Sequence, residues 1–126
     1  MNTRQKGDYS ELVVLAELSR QEKRVAVPFG NCMGFDLLVE SKNRWLTIQV
    51  KTAFRRGTRA NRIYVDTIRG AGIGNKKRRG YVDGSFDYMI AVLPDEKKFW
   101  VIPFSEMRGR RCLTMPEERK SGWEQL

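Results

Sequence analysis

Three residues close together in this sequence, Asp36, Gln49 and Lys51, are of types that can hold a hard cation and neutralise an anion beside it. Asp36 offers a carboxylate, Gln49 an amide oxygen, and the Val50 carbonyl between Gln49 and Lys51 a further oxygen. Magnesium takes oxygen ligands of this kind. Phosphodiester cleavage needs such a cation to stabilise charge on the phosphoryl oxygens and to activate a water. Lys51 would act as a fixed ammonium, orienting the attacking water or offsetting negative charge as it develops. A fourth group, Glu11, falls on the same side of a helix as Leu15 and Leu18; a carboxylate facing inward there needs a partner, either a metal or Lys51.

The elements that must position these groups can be read around them. Asp8-Tyr9-Ser10-Glu11 followed by an apolar run predicts a helix with Asp8 as its N-cap, packed by Leu12, Leu15, Ala16 and Leu18 and ending near Lys23. On that reading Glu11 is alternatively the third residue of a capping box. A short strand, Val25-Ala26-Val27, stops at Pro28, and a loop with Gly30 and Gly34 follows. In Phe35–Glu40, Asp36, Leu38 and Glu40 share one face; in Arg44–Ala53, Trp45, Thr47, Gln49 and Lys51 share one. A four-residue link, Ser41–Arg44, makes these an antiparallel hairpin in which Glu40 pairs with Trp45, Leu38 with Thr47 and Asp36 with Gln49. Paired Cβ atoms lie about 5 Å apart, close enough to share an ion, with Lys51 diagonal to Asp36. Asp36, Gln49 and Lys51 each have an ordinary reading as exposed strand polar groups. Four such coincidences on one patch favour chemistry.

The rest of the chain points to a polyanionic partner. Among 126 residues there are 24 Lys and Arg against 15 acids, a formal net charge of +9, and no histidine. Cations set against phosphates release condensed counterions, so nucleic acid is the first candidate and an anionic membrane surface the second. Without histidine, the usual serine and cysteine triads and histidine-ligated zinc are excluded. Cys32 and Cys112 lack metal-ligand spacing and read as reduced thiols of a soluble, cytoplasmic protein with no secretory or membrane-spanning segment. A basic segment at about 54–80 carries Arg55, Arg56, Arg59, Arg62, Lys76, Lys77, Arg78 and Arg79, which are the expected phosphate contacts. Its one convincing strand, Arg62–Ile68, turns Ile63 and Val65 inward and leaves Arg62 and Tyr64 to track DNA. The glycines of 70–74 read as a flexible loop. A second hairpin, Tyr88–Leu93 and Lys98–Ile102, precedes Pro103, a short helix around Ser105–Arg108, and a charged, loosely held tail from about Pro116. Tyr88, Met89, Phe99 and Trp100 read as core or interface residues.

Lys6-Gly7-Asp8 through Glu11, Val27-Pro28-Phe29-Gly30, Phe35-Asp36-Leu37 and Gln49-Val50-Lys51-Thr52-Ala53 resemble the PD-(D/E)-XK nuclease superfamily, in the branch of group I intron-encoded homing endonucleases. The likeness is firm from Lys6 to about Ala53 and looser to Pro103. No proline precedes Asp36, and Gln49 stands where most of the superfamily has a second carboxylate. The homing branch shares that glutamine, whereas the archaeal Holliday-junction resolvases usually carry an acid there. The resemblance implies metal ligation by Glu11, Asp36 and Gln49, a catalytic role for Lys51, and double-strand DNA cleavage leaving a 5′-phosphate.

The expected fold is a single α/β domain spanning 1–126, a restriction-endonuclease-like core with a mixed central sheet flanked by helices. The expected function is site-specific cleavage of double-stranded DNA with Mg2+, for which Mn2+ is the expected substitute. A monomer this small carries one active site and reads few base pairs, so cutting both strands predicts a homodimer, and the resemblance allows a homotetramer. The alternatives are a Holliday-junction or repair nuclease reading shape, and a DNA-binding module whose catalytic site is degenerate at Gln49.

Overall fold

Asn2 starts the first helix, α1 (Thr3–Arg20): its side chain accepts from the Gln5 N–H while the Gln5 side chain accepts from the Asn2 N–H. This reciprocal pair satisfies two N–H groups that a helix start leaves without partners. The helix therefore begins well before Asp8, running through Gly7, and Glu11 lies in its interior rather than in a capping box. It ends at Arg20, where the Lys23 N–H reaches Leu18 O and the Glu22 N–H reaches Ser19 O. Glu22 takes the left-handed conformation there (φ 61°) that glycine more often fills. The inward face is Ser10, Val14 and Leu18, spaced by fours; Leu12, expected to pack, is exposed.

The computed structural model describes residues 1–30, 34–57, 62–67, 81 and 84–126. After α1 come β1 (Val25–Ala26), β2 (Leu37–Ser41), β3 (Arg44–Thr52), β4 (Phe54–Arg56), β5 (Arg62–Asp66), β6 (Tyr88–Leu93), β7 (Lys98–Pro103), the short helix α2 (Phe104–Met107), β8 (Cys112–Met115) and a 3₁₀ turn, Trp123–Gln125. A five-stranded sheet runs β1-β2-β3-β6-β7, with β3 and β6 parallel and the other neighbours antiparallel. A second, antiparallel sheet runs β4-β5-β8.

The β2–β3 register is the expected one, with Glu40 opposite Trp45 and Leu38 opposite Thr47. The loop is tighter than expected: Ser41 pairs with Arg44, leaving only Lys42 and Asn43 to turn the chain, both at positive φ (48° and 64°). That is the turn whose twist matches two antiparallel strands.

Both faces of the central sheet are buried. On one, Val14 and Leu18 of α1 pack with Leu37, Val39, Leu46, Ile48, Val50, Ile90, Val92, Val101 and the C-terminal Leu126. On the other, Met89, Ala91, Trp100 and Ile102 pack against Ile63, Val65, Leu113 and Met115 of the second sheet and Met107 of α2. Strands that are apolar on both faces require two covers. Here α1 covers one face, and the second cover combines the β4-β5-β8 sheet with α2. Sequence reading missed β4 and β8. It also took the tail as loose: the Val101 N–H donates to Ser121 O, Gln125 Nε2 to Val101 O, and Trp123 packs on Phe99 with ring centroids 5.4 Å apart.

Candidate active site

Asp36 lies just before β2, its N–H donating to Ile48 O (2.8 Å) and so extending the hairpin ladder toward Gln49. One carboxylate oxygen, Oδ2, accepts from the Val50 N–H and from Gln49 Nε2, each at 2.8 Å. The same Gln49 amide donates to the Val50 carbonyl at 3.3 Å. Glu11, arriving on α1, hydrogen-bonds to Asp36. Lys51, one residue beyond Val50, lies close enough to Asp36 for its charge to act on that carboxyl. The structure thus brings together all four residues singled out from the sequence.

Two carboxyls in contact cannot both ionise cheaply. Burial first, then the charges of Asp36 and Asp8 and the hydrogen bond with Asp36, push Glu11 from its ordinary 4.5 up to about 7. Burial also pushes Asp36 up, against the Val50 N–H, the Glu11 hydrogen bond and the Lys51 charge, which pull it down. A proton on Glu11 would let its carboxyl donate to Asp36 across this hydrogen bond.

The donor set suits a hard cation. Among the described residues no group of three or more His, Cys, Asp or Glu comes together, so two carboxyls need supplementing by neutral oxygens. Gln49 Nε2 points at two of them at once, Asp36 Oδ2 and Val50 O, and partly plays a cation's part there. Turning the amide over would present its oxygen instead, giving two carboxyls, an amide and a main-chain carbonyl. That all-oxygen set fits magnesium or manganese and not a soft metal.

Neighbouring groups fix the strand that carries these residues. Ser10, 1% exposed, is bonded through its hydroxyl to Thr52 Oγ1 (2.6 Å), tying α1 to β3 beside both Glu11 and Lys51. Asp87 accepts from the Thr47 N–H (2.9 Å) and hydroxyl (3.2 Å), bracing β3 from the other side. The 5.6 Å between Lys51 Nζ and the centre of the Tyr81 ring marks a cation–π contact. Sequence reading passed over all of these. Ser10 was legible, since it repeats with Val14 and Leu18 at helical spacing; Tyr81 stands alone in a polar stretch and gave no periodic signal. A cleft of about 380 Å³ lined by Lys6, Tyr9, Thr52 and Glu96 contains none of the four central residues.

The expected phosphate-contact residues divide. Arg55 is engaged with acids: Nε and Nη2 donate to Glu96 (2.8 and 2.7 Å), and Nη2 also pairs with Glu117. It clamps β4 to the β6–β7 turn and the C-terminal segment, so acids hold the guanidinium for which a phosphate contact was expected. Arg56 and Arg62 are exposed and directly opposite in the β4–β5 ladder. Arg56 rests over the Phe54 and Tyr64 rings at 5.2 and 5.9 Å. Phe54, Arg56, Arg62 and Tyr64 thus share one face of the second sheet, and Ile63 and Val65 are buried beneath it. Arg59, Lys76, Lys77, Arg78 and Arg79 lie outside the described residues, as do residues 70–74, Ile68 and Cys32. Among the described residues no helix is long and apolar enough to cross a membrane.

Comparison with known proteins agrees with this arrangement. The fold is similar to that of a solved bacterial homing endonuclease, I-Ssp6803I, with a TM-score of 0.81 over 95% of this chain and 83% of that one, at 21% sequence identity. No curated protein matches the sequence. The model of one family, described as PD-(D/E)XK endonuclease, matches residues 1–121. On that match, which takes in α1, the β2–β3 hairpin and both sheets, the chain belongs to the PD-(D/E)XK endonuclease family.

Proposed function

We propose that this nuclease is a magnesium-dependent endonuclease that hydrolyses double-stranded DNA at a specific site. The observation that carries the reading is the meeting of Glu11, Asp36 and Gln49 within one hydrogen-bonded cluster, beside Lys51, on the fold of this family. Glu11, Asp36, Gln49 and the Val50 carbonyl would hold the ion. When bound, magnesium supplies polarisation of the phosphoryl group and activation of water. Asp36, fixed by the Val50 N–H, keeps the cluster in register with β3. Lys51 sets an ammonium against the charge that grows on the phosphoryl oxygens.

The outer face of β4 and β5 serves as the DNA-contact surface, with Arg56 and Arg62 to phosphates and Tyr64 toward the groove. Arg59, Lys76, Lys77, Arg78 and Arg79 are further expected phosphate contacts. The net charge of +9 favours such a partner. One site per chain calls for a homodimer or homotetramer to cut both strands. The similar solved structure is of a homing endonuclease, which supports site-specific cutting over shape reading. DNA as substrate fits a cytoplasmic enzyme.

The test is a cleavage screen on randomised duplex DNA with magnesium or manganese, with a four-way junction in parallel. A recovered consensus with cut ends supports the reading. Cutting confined to the junction points to a resolving enzyme, and binding without cutting under either metal to a degenerate site. Full activity in Asp36→Ala or Lys51→Ala would remove the mechanism.

A further inference from the structure

We infer that Tyr81 is a positioning residue for Lys51, its ring holding the ammonium where the scissile phosphate meets it. The inference rests on the nuclease reading and adds to it a residue with no carboxylate, amide or charge. A lysine side chain has four methylenes, and the strand around Lys51 fixes only its first bond. An ammonium that must meet one phosphoryl oxygen needs a second point of support.

The Tyr81 ring provides that support, 5.6 Å from Lys51 Nζ and within cation–π range. The ring is itself held. It meets Phe86 edge-on (4.9 Å, 82°), and Phe86 meets Phe104 at 5.0 Å. Phe86 is 2% exposed in the core between the two sheets, and the Phe104 N–H donates to Asp87 O (3.1 Å). Asp87 in turn braces Thr47 on β3. The ring therefore belongs to the same rigid frame as the strand bearing Lys51. Its chemistry matters too. A carboxylate in this place would add a negative charge against the ammonium, whereas a ring orients it without one.

Two measurements test the inference. In the first, kcat and KM for a cleavable duplex are compared for wild type, Tyr81→Phe, Tyr81→Trp and Tyr81→Leu. Ring-bearing variants should stay within about threefold of wild type, while Tyr81→Leu loses about tenfold in kcat with KM unchanged. In the second, carbon–proton NMR follows the Lys51 ε-methylene, identified by its loss in Lys51→Met. Its upfield ring-current shift should persist in Tyr81→Phe and vanish in Tyr81→Leu. Undiminished kcat in Tyr81→Leu, a Tyr81→Phe as slow as Tyr81→Leu, or a Lys51 signal indifferent to the ring would each overturn the inference. The NMR arm does not depend on catalysis, so a wild-type protein that cuts nothing would count against the nuclease reading, while the contact is still judged.

Discussion

Glu11→Gln should stabilise the metal-free protein and abolish its activity. The Glu11 carboxyl, raised to about 7 by burial and by Asp36, stays protonated in the folded chain at a pH where the unfolded chain has released its proton. A folded-state pKa above the unfolded one gives stability that is complete below about 4.5 and lost as pH rises through about 7. Each tenfold change in proton affinity corresponds to about 1.4 kcal/mol, and solvent beside this half-buried group screens most of the whole shift's effect, leaving about 1 kcal/mol. The glutamine amide keeps a donor toward Asp36 and carries no charge to bury. At pH 8 without metal, Glu11→Gln should therefore melt roughly 3–5 °C above wild type, and at pH 4.5 the two should coincide. Added magnesium should raise the wild-type melting temperature at pH 8 by mass action and move the variant much less. Calorimetry or circular dichroism at the two pH values, with and without magnesium, reads all four conditions, and cleavage should fall about 100-fold or more. A variant that melts below wild type at pH 8, or gains as much from magnesium, would refute the account of the carboxyl pair.

Gln49→Glu supplies the second carboxylate usual in the superfamily and should lower the magnesium needed for half-maximal cleavage about tenfold. Without metal it should melt below wild type, since the hydrogen bond to Asp36 is replaced by a like charge. Arg56→Ala should weaken DNA binding and reduce the slope of log affinity against log salt by about 1, whereas Arg55→Ala should leave that slope unchanged and lower the melting temperature. Trp123→Ala should cost about 2 kcal/mol in urea unfolding, because it strips the ring packed on Phe99 from an anchored tail.

Legibility in the sequence followed the range of the interactions. The Asp36–Gln49 hairpin was readable because strand alternation and loop length are local, and both fixed the same register. It held even though the turn is two residues shorter than expected, since Ser41 and Arg44 lengthen the ladder without shifting it. The start of α1 was misplaced because Asp8 and Glu11 imitate a cap, while the working cap, Asn2 with Gln5, lies where no apolar pattern draws attention. Three-residue β4 has no period of its own to read. β8 is defined by its pairing with β5, far away in sequence, as with Ile63 opposite Met115. The acid partners of Arg55 were hidden for the same reason. A cation in a basic segment looks free until the fold delivers Glu96 and Glu117, both distant in sequence, to its side.

The position of that clamp bears on how recognition and cutting are joined. Lys51 and Phe54 are three residues apart, and the chain between them turns from β3 into the sheet proposed to contact DNA. The joint is stiff: Ala53 is buried, and its N–H donates to Val92 O at 2.7 Å. Thr52 on one side of it is bonded to Ser10, and Arg55 on the other is clamped to two acids. Arg56, the first exposed cation past the clamp, is therefore held at a fixed offset from the Asp36–Lys51 cluster. A DNA backbone seated on Arg56 would bring one particular phosphodiester, and not its neighbour, to Lys51. The acids around Arg55 take up a cation beside the surface proposed to contact DNA, and in exchange they hold that surface in register with the proposed site of cleavage.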